Sequence, residues 1–595
     1  MESQAHQWLL RLDGCGVPDR NLIGGKAASI SQMAALGLNV PPAFVLTTRA
    51  CAAFQERGDL PEGLERELAA GIAWLEQTTG RSFGAGPRPL LVSVRSGAPV
   101  SMPGMMDTIL NLGINASTER ALAEECGDAA FARDTHRRFV EMYASTVLKT
   151  DAAGLGRSAD IDAWRAAIAA AAGQPVPEVV VEQLHGAVRA VFESWNSRRA
   201  RRYRQHHGIP DHLGTAVTVQ AMVFGNLDAQ SGTGVLFSRN PITGDAAPFG
   251  EFLPRAQGED VVSGRHTPLP LTAMRDCVPG ALDELLTAAE RLEREHGDVQ
   301  DIEFTVQCGR LYLLQSRAAK RAPLAALRIA AQMVREGLSA PDAAYSRITP
   351  EQVRLLLSPK LADGALAGAT VLARGEAASP GVGLGLVVTD PEEAERRARA
   401  GEDVVLARAT TSPDDLHGMI AARAIITEQG GSTSHAAVVG RALGRPCVVG
   451  CGAGSLLGLA GRTVTVDGQA GVVLDGRLAV TLPDESADTD LVALARWADA
   501  RSPVSVTATP PQGRALVDLD EAEEIGDPDR LRAFLKSVDP AAAIKGSVLA
   551  SESVVAAAVA AGIGHLVAEP RLPVLLAAVQ AAIEAEQTVA REHGA

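Results

Sequence analysis

No two cysteines of this sequence stand in a CxxC pair. The seven (Cys15, Cys51, Cys126, Cys277, Cys308, Cys447 and Cys451) are scattered. An odd count without a framework predicts reduced thiols and a cytoplasmic location. A basic surplus is missing too. The net charge of -15 excludes a general nucleic-acid or anionic-membrane surface, though local Lys and Arg still allow a nucleotide site. Long apolar runs are absent: the Ala-rich stretches near the tail are broken by Glu, His, Arg and Pro before the ~20 residues of a membrane span. The opening MESQAHQWLLRLDG has neither the basic nor the apolar segment of a signal peptide, so none is expected. No solenoid-like repeat is visible.

What is present is ordinary in bulk. Hydrophobic content is 46% and charged content 21%, as in soluble globular protein. At roughly 100–200 residues per domain, 595 residues predict about three to five units. The pattern predicts a multi-domain α/β protein. Residues 1–215 carry short apolar runs such as Leu90-Leu91-Val92 and then Ala- and Arg-rich helical stretches with apolar residues three or four apart. Residues 216–320 turn β-like (AVTVQAMVF, GVLFS, DIEFTV, GRLYLLQS), with Gln307-Cys308-Gly309 as a hairpin break. Residues 321–370 read as a helical linker. A compact domain follows over 371–480, opening on the Gly/Pro loop GEAASPGVGLG, and a small α/β region over 481–595.

Several strings could carry chemistry. In Gly430-Gly431-Ser432-Thr433-Ser434-His435, a strand runs into a glycine pair and then into helix-capping residues. A histidine in that first turn can attack phosphorus as neutral imidazole, and the helix start favours the resulting phosphate. A capped helix whose histidine only packs is the competing reading. Lys26 follows a Gly-Gly turn, useful beside phosphates but without P-loop spacing. Arg95 ends an apolar strand, where a guanidinium is costly unless it meets an anion, either phosphate or an internal carboxylate. Asp301 and Glu303 alternate on one strand, Gln315 and Arg317 on the next, so each pair shares a face. Two carboxylates and an amide oxygen suit Mg2+, with Arg317 beside them for phosphate; a solvent-facing hairpin is the plainer alternative. Glu259 and Asp260 add acidic groups whose role the spacing leaves open.

Together SVRSGAPVSMPGMMDTILNLGIN, AVTVQAMVFGN, SGTGVLFSRNPITG, AQGEDVVSG, QDIEFT, LLQSR and GGSTSHAAVVGRALGRPCVVG resemble the pyruvate, phosphate dikinase family over about residues 20–480. The resemblance implies an ATP-grasp region, a swivelling phosphohistidine domain and a C-terminal barrel. By position it implies His435 as the phosphorylated histidine; Lys26, Arg95 and Arg317 as phosphate-binding cations; and Glu259 and Asp260 near the nucleotide. It also implies Asp301, Glu303 and Gln315 at magnesium, Arg138 at inorganic phosphate, and Thr433 as a regulatory phosphorylation site. The implied half-reaction takes ATP and phosphate to AMP and pyrophosphate while His435 gains the β-phosphoryl group, with a hinge expected near 360–380.

The C-terminus departs from the family. A barrel needs about 250 residues, whereas Val480 is followed by only the region 481–595, and no cysteine follows Cys451 to match the family's enolate-protonating thiol. Three expectations therefore stand: transfer to pyruvate, giving phosphoenolpyruvate, on a barrel of another chain; transfer to a different acceptor; or a non-catalytic regulatory relative.

Overall fold

Strand Ala216–Ala221 is buried at every position, which is why AVTVQA reads as a continuous run rather than an alternation. In the computed structural model it is central to the first of four larger sheets. The structure describes residues 8–593 apart from 101, 103–104, 153–160, 263–266, 358–359, 363, 367, 444, 457, 482 and 520–527. Ser101, Pro103 and Gly104 of the Met- and Gly-rich loop thus lie outside the described residues.

The first sheet is antiparallel throughout, ordered Leu9–Arg11, Ala43–Leu46, Ala216–Ala221, Val92–Gly97, Thr108–Leu112. One face packs Phe44, Val94 and Val219 against Leu68, Phe139 and Val188 of flanking helices. The other packs Ala43, Val45 and Ala216 with Ile23, Ala27 and Ile30 of helix Arg20–Ala35. That helix also meets Phe252, Phe304 and Leu313 of the second sheet. The second sheet is antiparallel as well, ordered Leu269–Pro270, Phe249–Pro254, Gly232–Phe237, Gln300–Gln307, Arg310–Ala318.

The third sheet has eight strands, with Val382–Val388, Val404–Arg408, Ala424–Thr427 and Cys447–Val449 parallel at its centre. The Gly/Pro stretch expected to be a loop lies inside this sheet, as strands Glu376–Ser379 and Val382–Val388. Its glycines serve close approach rather than flexibility: a β-carbon on Gly383 would stand 2.5 Å from the Arg423 carbonyl oxygen, and one on Gly385 2.7 Å from that of Asp403.

The fourth sheet, over the C-terminal region, holds four parallel strands ordered Ser505–Thr507, His565–Val567, Ala543–Lys545, Leu516–Asp518. Its core is shared with the helices read as a linker: Leu327, Tyr345, Ile348 and Val353 pack with Leu494, Leu535, Leu566 and Leu575. Between this joint body and the eight-stranded sheet, Lys360–Leu361 pairs antiparallel with Val480–Thr481. The chain thus passes to and from the eight-stranded sheet beside one short ladder.

Helix Arg20–Ala35 is interrupted at Gly24 (φ 76°, ψ 165°), where a β-carbon would fall 1.8 Å from the Gly97 carbonyl oxygen. Both the left-handed backbone and the backbone contact demand glycine. Gly24→Ala is expected to lower the stability of the N-terminal region by at least about 2 kcal/mol, seen as an earlier transition in thermal unfolding followed by the fluorescence of Trp8 and Trp74.

Candidate active site

The break at Gly24 lets Gly25 N–H donate to the Ala98 carbonyl at 2.9 Å, which sets Lys26 against the end of strand Val92–Gly97. Burial lowers the Lys26 pKa to about 7, with Arg95 and Arg317 adding repulsion and Glu303 opposing them. Arg95 Nη2 donates to Glu303 Oε2 at 3.3 Å, and Arg317 Nε to Asp301 Oδ2 at 2.8 Å. Asp301 pairs with Arg317 and Glu303 with Gln315 across the hairpin, so all four side chains stand on one face. Burial works against the Glu303 carboxylate, but Arg95, Arg317 and Lys26 outweigh it and hold its pKa below the ordinary range. Burial pushes the Asp301 pKa up, only partly offset by Arg317.

Two oxygens in this cluster, Asp301 Oδ1 and Gln315 Oε1, are buried without a hydrogen-bond partner. An orphaned buried acceptor is costly, and a hard cation satisfies two oxygens at once. The set therefore fits Mg2+. Among the described residues no group of three His, Cys, Asp or Glu side chains is placed to hold a metal. An ion here would complete its shell from the amide and from ligand oxygens.

Two more of the expected residues, Arg138 and Asp260, meet elsewhere. Arg138 Nη1 donates to Asp260 Oδ1 at 2.9 Å and its Nε to Asp134 Oδ2 at 2.8 Å. Asp260 Oδ2 also accepts from Gln257 N–H at 2.9 Å, closing the turn into helix Gly258–Val262. The side chain of Glu259 lies outside the described residues.

His435 is the first residue of helix His435–Ala442. Its Nδ1 lies 3.3 Å from Thr411 Oγ1, and its Nε2 is buried without a partner. With the proton on Nδ1 facing Thr411, Nε2 keeps its lone pair. Burial lowers the His435 pKa, against a smaller opposing pull from Asp415, so the ring is neutral at pH 7. A neutral imidazole with an uncommitted nitrogen is a nucleophile.

A residue the motifs did not reveal joins this loop to the charged cluster. Glu251 of strand Phe249–Pro254 accepts from Ser432 Oγ at 2.8 Å and from Thr433 Oγ1 at 2.6 Å. The loop is held from its own domain by Glu376, whose Oε2 accepts from Ser432 N–H at 3.2 Å. Across the second sheet Glu251 pairs with Val235, and Val235 with Glu303. Glu251 thus stands on the same face as Glu303 two strands away, about 10 Å at the usual strand spacing. Its one sequence signal was a lone acidic residue in an apolar strand. Thr411 and Glu376 gave no signal at all.

Residues 20–75 and 57–276 match the pyruvate phosphate dikinase AMP/ATP-binding domain, and residues 400–471 match the mobile domain of PEP-utilising enzymes. The pyruvate, phosphate dikinase of Rhizobium meliloti is 42% identical over 558 residues, covering 85% of this chain and 62% of the relative. Pyruvate, phosphate dikinase 2 of Zea mays is 41% identical over 569 residues, covering 89% and 64%. The chain belongs to the pyruvate, phosphate dikinase family.

It spans about three-fifths of the length of the dikinases it matches. The dikinase AMP/ATP-binding match contains Lys26, Arg95, Arg138 and Glu251, while Asp301, Glu303, Gln315 and Arg317 lie beyond its end at residue 276. The mobile-domain match contains Thr411, Thr433 and His435. Among the described residues no helix is long and apolar enough to cross a membrane.

A bound polyphosphate should draw a proton onto Lys26. At pH 8 calorimetry of ADP binding in buffers of different ionisation enthalpy is expected to show proton uptake, with affinity falling as pH rises above about 7. Lys26→Met should abolish that uptake. Glu251→Ala removes two hydrogen bonds to a carboxylate and is expected to speed amide exchange over residues 430–434 by about tenfold or more, read by mass spectrometry.

Proposed function

We propose that this chain carries out the nucleotide half of a dikinase reaction, in which ATP and inorganic phosphate phosphorylate His435 and leave AMP and pyrophosphate. The observation that carries this reading is a neutral histidine, its Nε2 uncommitted, whose preceding loop is held by Glu251 on the sheet face that bears Glu303 and Arg317, with Lys26 and Arg95 beside them. Scaffolding does not require three half-buried cations around two carboxylates, since charges drawn out of water are costly unless they serve a partner.

Lys26, Arg95 and Arg317 would take the nucleotide phosphates, the two guanidiniums exchanging their internal carboxylates for phosphate oxygens. Asp301, Glu303 and Gln315 would hold Mg2+, which when bound neutralises phosphate charge. Nε2 of His435 would attack the β-phosphorus, while Thr411 keeps the Nδ1 proton in place so that the attacking nitrogen stays unprotonated. Arg138 is the proposed ligand of inorganic phosphate, a role that needs it to leave Asp134 or Asp260. Onward transfer to pyruvate, giving phosphoenolpyruvate, is the second half of the proposal, with the receiving barrel outside these residues. The C-terminal body has four parallel strands among the described residues, which supports that placement, because a barrel of this kind needs eight. The domain bearing His435 would then have to swing away from Glu251 to deliver its phosphoryl group.

Incubation with ATP labelled in either the β or the γ position separates the chemistries. Label on His435 is expected from the β position only, dependent on inorganic phosphate, and absent in His435→Asn. Acid-labile label arriving from the γ position instead would rule out the dikinase reaction.

Thr433 is the proposed off-switch. Its hydroxyl donates to Glu251, so a phosphate there would face a carboxylate at hydrogen-bonding range and repel it. Thr433→Glu is expected to lower β-label transfer at least about tenfold, while Thr433→Val keeps most of it; equal rates in the two variants would dismiss the switch.

A further inference from the structure

The strand that carries Gln315 and Arg317 ends at Ala318, but the chain does not leave the site there. Ala319 N–H still donates to the Val299 carbonyl at 2.8 Å, and Ala322 N–H donates to the Pro241 carbonyl at 2.9 Å. Ala319, Ala322 and Ala325 pack with Val235 and Phe237, whose cross-strand partners are Glu303 and Asp301. Directly opposed residues share a face. The chain therefore bends over the face that bears the charged cluster before it enters helix Pro323–Arg335.

Lys320 sits in that bend, half-buried. Its neighbour Arg321 is committed to Asp298, donating from Nη1 at 2.6 Å and from Nη2 at 3.0 Å. Lys320 itself makes no hydrogen bond or ion pair among the described residues. Burial lowers its pKa, and the charge that acts on it is a second cation, Arg317. Glu303 offsets such repulsion at Lys26, but among the described residues no carboxylate does so at Lys320. Arg317 uses Nε to hold Asp301, while its Nη1 and Nη2 make no hydrogen bond among the described residues. Two like charges drawn out of water near each other repel. An anion that reaches both turns that repulsion into attraction.

We infer that Lys320 is a fourth phosphate-binding cation, which shares an anionic oxygen of the nucleotide's polyphosphate with the Nη edge of Arg317. The nature of the anion rests on the phosphotransfer reading above; the place of the cation rests on the bend alone. Lysine is a point charge on a flexible stem, whereas the arginine fork has a direction. Arg317 thus orients the oxygen, and Lys320 adds charge from a side where no carboxylate has to be displaced.

Pyrophosphate binding to the whole chain, followed by calorimetry at low and high salt, tests this without any transfer step. Lys320→Met keeps the apolar stem and removes the charge. It should weaken binding about tenfold and flatten the salt dependence, whereas Lys320→Arg should stay within about threefold of the parent chain. Without ligand, Lys320→Met should unfold no earlier than the parent, because a repulsion is lost. A lysine that only supports the bend would give the opposite pair, unchanged affinity and earlier unfolding. A loss of affinity below about threefold in Lys320→Met, or no pyrophosphate binding by the parent, overturns the assignment. Label reaching His435 of the parent from β-labelled ATP reports separately on the phosphotransfer reading.

Discussion

One carboxylate ties the loop before His435 to the sheet that carries the charged cluster. Glu251 takes two hydroxyl hydrogen bonds from that loop, on the same face as Glu303 two strands away. Around this polar contact the two regions share an apolar core, Met102, Met105, Trp195 and Tyr203 packing with Val388, Leu406, Ile425 and Ala437, so packing brings them together and the carboxylate fixes the register. Glu376 approaches the same serine from the other side, and burial together with the charge of Glu251 pushes the Glu376 pKa up. Two acidic groups thus grip one loop, Glu376 from its own domain and Glu251 from the sheet opposite.

The charged cluster obeys a related constraint. Its cations and carboxylates are drawn out of water together, Asp301 fully and the others in part, and each side suppresses the cost of the other. Lys26 gives way first, its pKa falling to about 7, because ammonium is strongly hydrated and loses most on burial. The guanidiniums of Arg95 and Arg317 donate to the carboxylates of Glu303 and Asp301. An arginine fork that matches a carboxylate would match a phosphate as well.

Much of this was legible in the sequence where spacing alone determines geometry. The alternation of Asp301 with Glu303 and of Gln315 with Arg317 puts each pair on one strand face by the two-residue period alone. His435 was legible because glycines, capping residues and a helix start are local. Glu251 was not, because nothing in FGEFLP indicates that its partner lies 181 residues away. The strands at 376–388 were misread as a loop because glycine supports both flexibility and tight packing, and only the carbonyls facing Gly383 and Gly385 decide between them. The common core of residues 327–357 and 491–579 escaped for the same reason as Glu251: contact across a large sequence separation leaves no periodic trace.

That shared core gives the eight-stranded domain an unusual standing in the chain. It is an insertion, leaving its host at Leu361 and rejoining it at Val480, residues that face each other across a single pair of strands and so lie about 5 Å apart. Ends that close impose almost no loop-closure burden on the host, and they let the inserted unit fold on its own contacts. A unit inserted this way is a cassette: it can be exchanged between hosts as one piece without a change in the fold on either side of it.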